Sequence, residues 1–479
     1  MAEWLRRGLQ ILARRFDSGS GLHSFATGGR IEPPILTLGP DFFDPVEPAR
    51  FPKAIPRFLN ERAAESVGLG GHDEAWWAAH FCHFEPLPGN LPQPLALRYH
   101  GHQFRHYNPD IGDGRGFTFA QLRDDRKRLL DLGTKGSGTT PYSRHADGRL
   151  TLKGGVREVL ATEMLEALGV NTSKSFALFE TGEALVRGDE PSPTRSSVLT
   201  RLSHGHIRIG TFQRLAFFGE EENMRKLVRY CLEHLYGEPG DDPLRLFDLV
   251  SAATARLAAS YLAAGFVHGV LNSDNINVTG ESFDYGPWRF TPEWDAGFTA
   301  AYFDEAGLYS FGRQPEAIHW DLAQLAGCLT LIADAPALTR VMEEWPARFE
   351  DALVERMLWR LGVEPAHAEA DRRLVGALLA ALETRQVTID RLFFDWRGGD
   401  PGPEVYADEQ FRALARALEG RTPAPSHPYW SDEEPCSMHI EEVETIWAAI
   451  ADADDWKPFE DKVRAIRRMG EAMAERITG

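Results

Sequence analysis

Two rhythms of hydrophobic spacing divide this chain. Before about residue 202, apolar residues gather in short runs at 117–122, 128–134, 175–180, 184–187 and 196–201, as strands buried in a sheet require. One helix interrupts them: Val156, Val159, Leu160, Met164 and Leu168 recur at three and four, and Gly169 stands where a left-handed residue ends a helix. After residue 220 the helical spacing takes over. Met224, Leu227, Val228, Cys231, Leu232 and Leu235 form one stripe, and long helical patterns follow at 244–265, 319–332, 336–361, 366–383 and 439–476. Glycine and proline clusters at 237–243, 398–403 and 422–428 separate these helices, while the proline-rich stretch 29–57 reads as extended chain. A strand-rich lobe with one helix, followed by a helix-rich lobe, predicts a bilobal α+β fold. Its parts fall at 1–98 (an N-terminal extension packing on the core), 99–205 (N-lobe), 206–398 (helical C-lobe) and 399–479 (a helical tail).

With 479 residues, 43% of them hydrophobic, the chain can bury a large core without disulfide staples. The formal charge of -19 speaks against a general nucleic-acid binder, because phosphate backbones are held by positive surface. Locally the balance reverses. Between Arg115 and Arg157 stand ten Lys or Arg against four Asp, a basic island suited to a polyanion such as a triphosphate, although a solvated basic face has the same composition. The four cysteines show no CxxC spacing; they read as reduced buried thiols and place the protein in the cytoplasm. No apolar run is long enough for a membrane helix. The first fifteen residues, with four arginines and one glutamate, read as an amphipathic surface helix, a pattern that a transit peptide shares.

Chemistry concentrates in His268-Gly-Val-Leu-Asn-Ser-Asp-Asn275 and in Asp284-Tyr-Gly286 nine residues on. This is the order of the metal-binding half of a kinase active site, in which an Asn and an Asp-x-Gly carboxylate hold Mg²⁺. Asn275 and Asp284 occupy those places, but the position of the usual base is Val270, which accepts no proton. Ile111-Gly-Asp-Gly-Arg-Gly116 is a turn whose missing Cβ atoms let backbone approach a ligand, and it also reads as hairpin punctuation. Lys135 ends a strand, and Glu158, on the interrupting helix, is placed to aim its ammonium at phosphates. Arg201 and Arg208 flank the lobe junction, where guanidinium forks suit phosphate oxygens. Asp274 is the remaining carboxylate of the loop; an Asx turn is its alternative role. His204 and His206 have no further ligand at metal spacing and stay polar loop residues.

Several long motifs in one order resemble the selenoprotein O (YdiU) family of kinase-like proteins: Tyr99-His-Gly-His-Gln-Phe104, Gly112-Asp-Gly-Arg-Gly116, Thr140-Pro-Tyr-Ser-Arg-His-Ala-Asp-Gly-Arg149, the two loops above, and Ser310-Phe-Gly-Arg-Gln-Pro315. The resemblance spans about residues 56–329. It implies a protein adenylyltransferase in which ATP binds flipped relative to kinases, so that a protein Ser, Thr or Tyr hydroxyl attacks the α-phosphate and pyrophosphate leaves. UTP is an alternative donor. Carried over by position, Gly112, Gly114, Arg115, Lys135, Asp147, Gly148, Arg201, Arg208 and Asp284 would contact the nucleotide. Glu158 would orient Lys135, Asn275 and Asp284 would hold Mg²⁺ or Mn²⁺, and Asp274 would accept the proton. The flip also accounts for Val270. Beyond residue 400 the family's Asn-Pro-Lys segment and terminal Cys pair find no counterpart, and Cys436 stands alone. Two other readings stay open from the residues themselves: a kinase in which Asp274 replaces the missing base, and an inactive nucleotide-binding scaffold.

Overall fold

The computed structural model describes residues 33–188, 190–397 and 406–474. The helix expected at 1–15 and the Gly-Pro cluster at 398–403 lie outside the described residues, as do the first residues of the 29–57 stretch and the end of the last helical pattern.

The chain enters through β1 (Phe43–Pro45) and β2 (Ile55–Leu59), helices α1 (Glu61–Ser66) and α2 (Glu74–Phe81), and β3 (Leu95–Leu97). A small hairpin follows, β4 (Gly101–Gln103) and β5 (His106–Asn108), then β6 (Thr118–Arg123), β7 (Leu129–Lys135) and β8 (Leu150–Thr151). Helix α3 (Leu152–Ala167) leads to the two long strands β9 (Lys174–Leu185) and β10 (Thr194–Ser203). Their antiparallel sheet runs β1-β3-β6-β7-β10-β9-β2, with β8 paired to β10. The runs expected at 175–180 and 184–187 are one strand. The boundary expected at residue 98 falls inside the sheet, because β1, β2 and β3 belong to it.

Strand β7 is buried along its whole length because both faces of the sheet are covered. Leu129, Leu178 and Leu199 pack with Val156, Val159, Leu160 and Met164 of α3 on one side. Leu130, Leu132, Phe179 and Val198 meet Trp77 and Phe81 of α2 on the other. Two-sided burial explains why these strands read as continuous apolar runs rather than alternating ones.

The second lobe is helical: α4 (Ile209–Phe218), α5 (Glu221–Tyr230) with a π-helical turn at Cys231–Leu235, and α6 (Pro243–Ala264). Asp242 caps α6, Pro243 opens it and left-handed Gly265 ends it. The hairpin β11 (Phe266–Val267) and β12 (Arg289–Phe290) brackets the loop that carries Asn275 and Asp284. Then come α7 (Gln314–Leu329), α8 (Ala335–Leu361), α9 (Ala368–Leu382), α10 (Ile389–Asp395) and α11 (Glu409–Leu418). No helix among the described residues is long and apolar enough to cross a membrane.

The helix expected over 439–476 is two, α12 (Ile440–Ala453) and α13 (Lys457–Ala474). Asp454 turns left-handed between them, and Pro458 denies the backbone donor that a continuous helix needs. The break places Asp454 on Arg57 and Arg195 of the sheet, while Arg467 of α13 forks onto Glu163 of α3 at 2.7 and 2.9 Å. The tail thus braces the helix that carries Glu158.

Candidate active site

Where the sheet meets the helical lobe, a cleft of about 370 Å³ opens between the turn at 111–116, the end of β7, and the loops at 270–275 and 284. The chain's first requirement there is backbone proximity. A Cβ on Gly112 would lie 2.4 Å from the Tyr142 ring, and one on Gly116 would lie 2.0 Å from the Thr134 carbonyl. Tyr142 fills this space because its hydroxyl donates to Asp44 (2.5 Å), which also takes the Arg98 guanidinium (2.9 Å). Ser143 Oγ donates to the Gly114 carbonyl at 2.5 Å and Thr140 Oγ1 to the Asp113 carbonyl at 2.5 Å. The glycine-rich turn is therefore clamped from behind by the 140–143 loop.

Lys135 is buried at the end of β7, with Nζ 2.5 Å from Glu158 and 2.8 Å from Asp284. Arg201 reaches the same two carboxylates from β10, at 3.2 and 3.4 Å. Burial alone pushes the Asp284 carboxyl up, but the charges of Lys135, Arg201 and Arg115 overcome it and hold Asp284 well below the ordinary carboxylate range. Two cations facing two anions form a preorganised neutral cluster.

Across the cleft, Arg208 lies over the rings of Tyr99 (4.2 Å) and Phe283 (4.9 Å), donates to the Asp274 carbonyl (3.3 Å) and pairs with Asp113 (3.4 Å). Asp274 is buried, and its Oδ1 has no hydrogen-bond partner. Burial pushes its carboxyl up to about 6 against the opposing pull of Arg208. Buried Arg201 Nε and Arg208 Nε are likewise unpartnered. Orphaned polar atoms of both signs around one cleft are what a polar, charged ligand would satisfy.

The loop bearing Asp274 is held by the β4–β5 hairpin. Asn272 Oδ1 accepts from Phe104 N (2.9 Å) and Tyr309 OH (2.8 Å); Ser273 Oγ accepts from His102 N (2.7 Å) and donates to Gln213 (2.6 Å). A Cβ on Gly101 would stand 2.9 Å from Asp274 Oδ1. Gly101→Ala is expected to displace that carboxylate and lower kcat by about ten- to a hundredfold, with ATP-induced thermal stabilisation unchanged. Equal losses in kcat and in ATP binding would instead mean a collapsed cleft.

Asn275 and Asp284, the residues expected to hold a divalent cation, both line the cleft. Asn275 Nδ2 donates to the Val270 carbonyl at 3.0 Å, which leaves Oδ1 unengaged among the described residues. No cluster of three or more His, Cys, Asp or Glu able to hold a metal occurs among the described residues. One amide oxygen and one carboxylate suit a hard cation that takes its other ligands from water and phosphate, and not a cage metal.

The cleft gathers Gly112, Gly114, Arg115, Lys135, Arg201, Arg208, Asp274, Asn275 and Asp284, with Glu158 directly behind Lys135. It does not gather Asp147 and Gly148, the expected nucleotide contacts. Asp147 binds Arg187 at 2.8 Å and caps Arg149 N at 3.0 Å, while left-handed Gly148 passes so close to Gly138 that a Cβ would lie 2.2 Å from its carbonyl. Their turn serves packing in this structure. The basic island also disperses: only Arg115, Lys135 and Arg144 line the cleft, whereas Arg149, Lys153 and Arg128 pair with Glu183, Glu444 and Asp124. Tyr99, Tyr142, Asp44, Arg98 and Gln213 are the residues missed; three of them sat in or beside quoted motifs, but their roles arise from contacts distant in sequence.

His204 and His206 make contacts behind the sheet end. His206 approaches Asp131 at 3.3 Å, and His204 N donates to Glu281 at 2.9 Å. Burial pushes the Glu281 carboxyl up to about 7. Between its unfolded value near 4.5 and 7, the native protein keeps a proton that the unfolded chain has released, so stability falls as pH rises through that window. Glu281→Gln is expected to gain on the order of 2–3 kcal/mol above pH ~7 and little below pH ~4.5 in denaturant titrations.

Residues 28–402 match the family model described as "Protein adenylyltransferase SelO". A protein nucleotidyltransferase YdiU of Synechocystis is 40% identical over 469 residues, covering 91% of this chain and 97% of its own. That of Gloeobacter violaceus is 41% identical over 461 residues, covering 91% and 95%. That of Trichodesmium erythraeum is 40% identical over 475 residues, covering 91% and 98%. These matches take in a larger share of the chain than 28–402, so the similarity is not confined to the part expected at 56–329.

Proposed function

This chain belongs to the SelO family of protein adenylyltransferases, and from that premise we propose how its own residues carry the transfer. It is an enzyme, a nucleotidyltransferase with a kinase-like bilobal fold. ATP lies in the cleft with its α-phosphate toward Asp274, and a Ser, Thr or Tyr hydroxyl of a protein attacks that phosphorus. The observation that carries this reading is a valine at the usual base position beside a buried, unpartnered Asp274 Oδ1.

The Asp274 carboxylate takes the hydroxyl proton as the oxygen–phosphorus bond forms. The bond from the α-phosphorus to the oxygen bridging the β-phosphate breaks, and pyrophosphate leaves with the electron pair. Lys135, held by Glu158, and Arg201 supply fixed positive charge for the phosphate oxygens, with Arg115 and Arg208 flanking them. Their orientation before substrate arrives is part of the catalysis, since no reorganisation is left to be done. Asn275 and Asp284 would hold Mg²⁺ or Mn²⁺, which when bound neutralises phosphate charge. Gly112 and Gly114 leave backbone open to the nucleotide, while Asp147 and Gly148 act on it only if the 139–148 loop moves.

Incubation with ATP and a protein acceptor, followed by peptide mass spectrometry, tests this. A mass gain of one AMP on a Ser, Thr or Tyr is expected, with UMP added from UTP if the cleft grips triphosphate more than base. A gain of one phosphoryl group alone would contradict it.

A further inference from the structure

Among the described residues, five large hydrophobic side chains are strongly exposed, and four of them stand in one region. Phe217 (57% exposed) and Phe218 (54%) end α4; Tyr302 (88%) and Phe303 (47%) lie on the loop before α7. The fifth, Val186, lies elsewhere, just past the end of β9. Both pairs abut the β4–β5 hairpin. Phe217 stacks on Tyr107 with ring centroids 5.6 Å apart, and Phe303 meets Phe104 edge-on at 5.8 Å. Exposed aromatic area of this kind marks a surface that meets another molecule.

The patch is mechanically continuous with the catalytic loop. Phe104 N donates to Asn272, His102 N to Ser273, and Gly101 of the same hairpin touches Asp274. Gln213, which accepts from Ser273 Oγ, lies four residues before Phe217 and so on the same face of α4. The hairpin thus links the exposed aromatic pairs to the loop that carries Asp274.

We propose that Phe217, Phe218, Tyr302 and Phe303 form the docking platform for the protein substrate. Its occupant is an extended segment carrying a large aliphatic or aromatic side chain near the acceptor hydroxyl. The platform rests on the reading of Asp274 as the end that receives the acceptor. Arg105, which could have supplied a charged preference, is already paired with Glu316 and lies over Trp320, so recognition here is apolar. An extended segment lying along the hairpin can reach both pairs, Phe217 on Tyr107 and Phe303 on Phe104.

AMP transfer to two synthetic peptide libraries, with Ser, Thr or Tyr fixed and flanks of either Leu and Phe or Ser and Asn, tests the platform. The wild-type enzyme is expected to favour apolar flanks by about tenfold or more in kcat/KM. Phe217→Ser with Phe218→Ser, and separately Tyr302→Ser, should raise KM for apolar peptides about tenfold while leaving kcat, the polar-flanked peptides and ATP-induced thermal stabilisation unchanged. Tyr302 is almost wholly exposed, so its variant will fold even if the double variant does not. Equal use of both libraries, or variants without effect on KM, would overturn the platform while leaving AMP transfer intact. Wild-type dimers that the variants dissociate would assign the patch to a second copy instead. No transfer to any peptide would overturn the reading of the site as well.

Discussion

Asp284→Asn is expected to lower AMP transfer by on the order of 10³-fold. The change keeps shape and removes one negative charge from a site where that charge has two uses. It faces Lys135 at 2.8 Å and Arg201 at 3.4 Å, and it is the sole carboxylate among the two groups assigned to the divalent cation. Without it the two cations have only Glu158 to share, and phosphate must replace Asp284 as their counter-charge. Two readouts therefore separate: ATP should still stabilise the variant thermally in chelator, while the added effect of Mg²⁺ or Mn²⁺ disappears. Transfer within tenfold of wild type would remove Asp284 from the site.

Asp274→Asn is expected to lower kcat by 10²–10⁴-fold, the range typical for loss of a general base, with KM for ATP little changed. Asparagine preserves the size of the side chain and the carbonyl to which Arg208 donates, which belongs to the backbone. It cannot take the proton that a carboxylate accepts. A variant that kept full kcat would make substrate positioning, and not proton removal, the work of this loop. Loss of ATP binding in place of kcat would give Asp274 to the nucleotide.

The sheet was legible because β7 and β10 are covered on both faces, which writes continuous apolar runs into the sequence. The strands β1 and β3 at one end of the sheet, three residues each in proline-rich surroundings, carry no such rhythm, and α1 and α2 were hidden with them. Helix α4, ten residues long and opening directly after Arg208, was missed although six of its residues are apolar. In the site, residue type and order were enough to expect Lys135, Glu158, Arg201, Asn275 and Asp284 together, and the structure places four of them in the cleft with Glu158 behind Lys135. The clamp Tyr142–Asp44–Arg98 was not legible, since it joins positions 98 and 54 residues apart. Asp147 and Gly148, expected at the nucleotide from the family resemblance alone, stand outside the cleft beside Arg187 and Gly138.

Transfer of label to protein from ATP carrying it at the α- or the γ-phosphate tests the direction of the nucleotide most directly. Label from the α-position should become covalently bound to a protein hydroxyl, and label from the γ-position should appear only in pyrophosphate. Protein labelled from the γ-position alone would contradict AMP transfer by Asp274 and make this cleft that of a kinase.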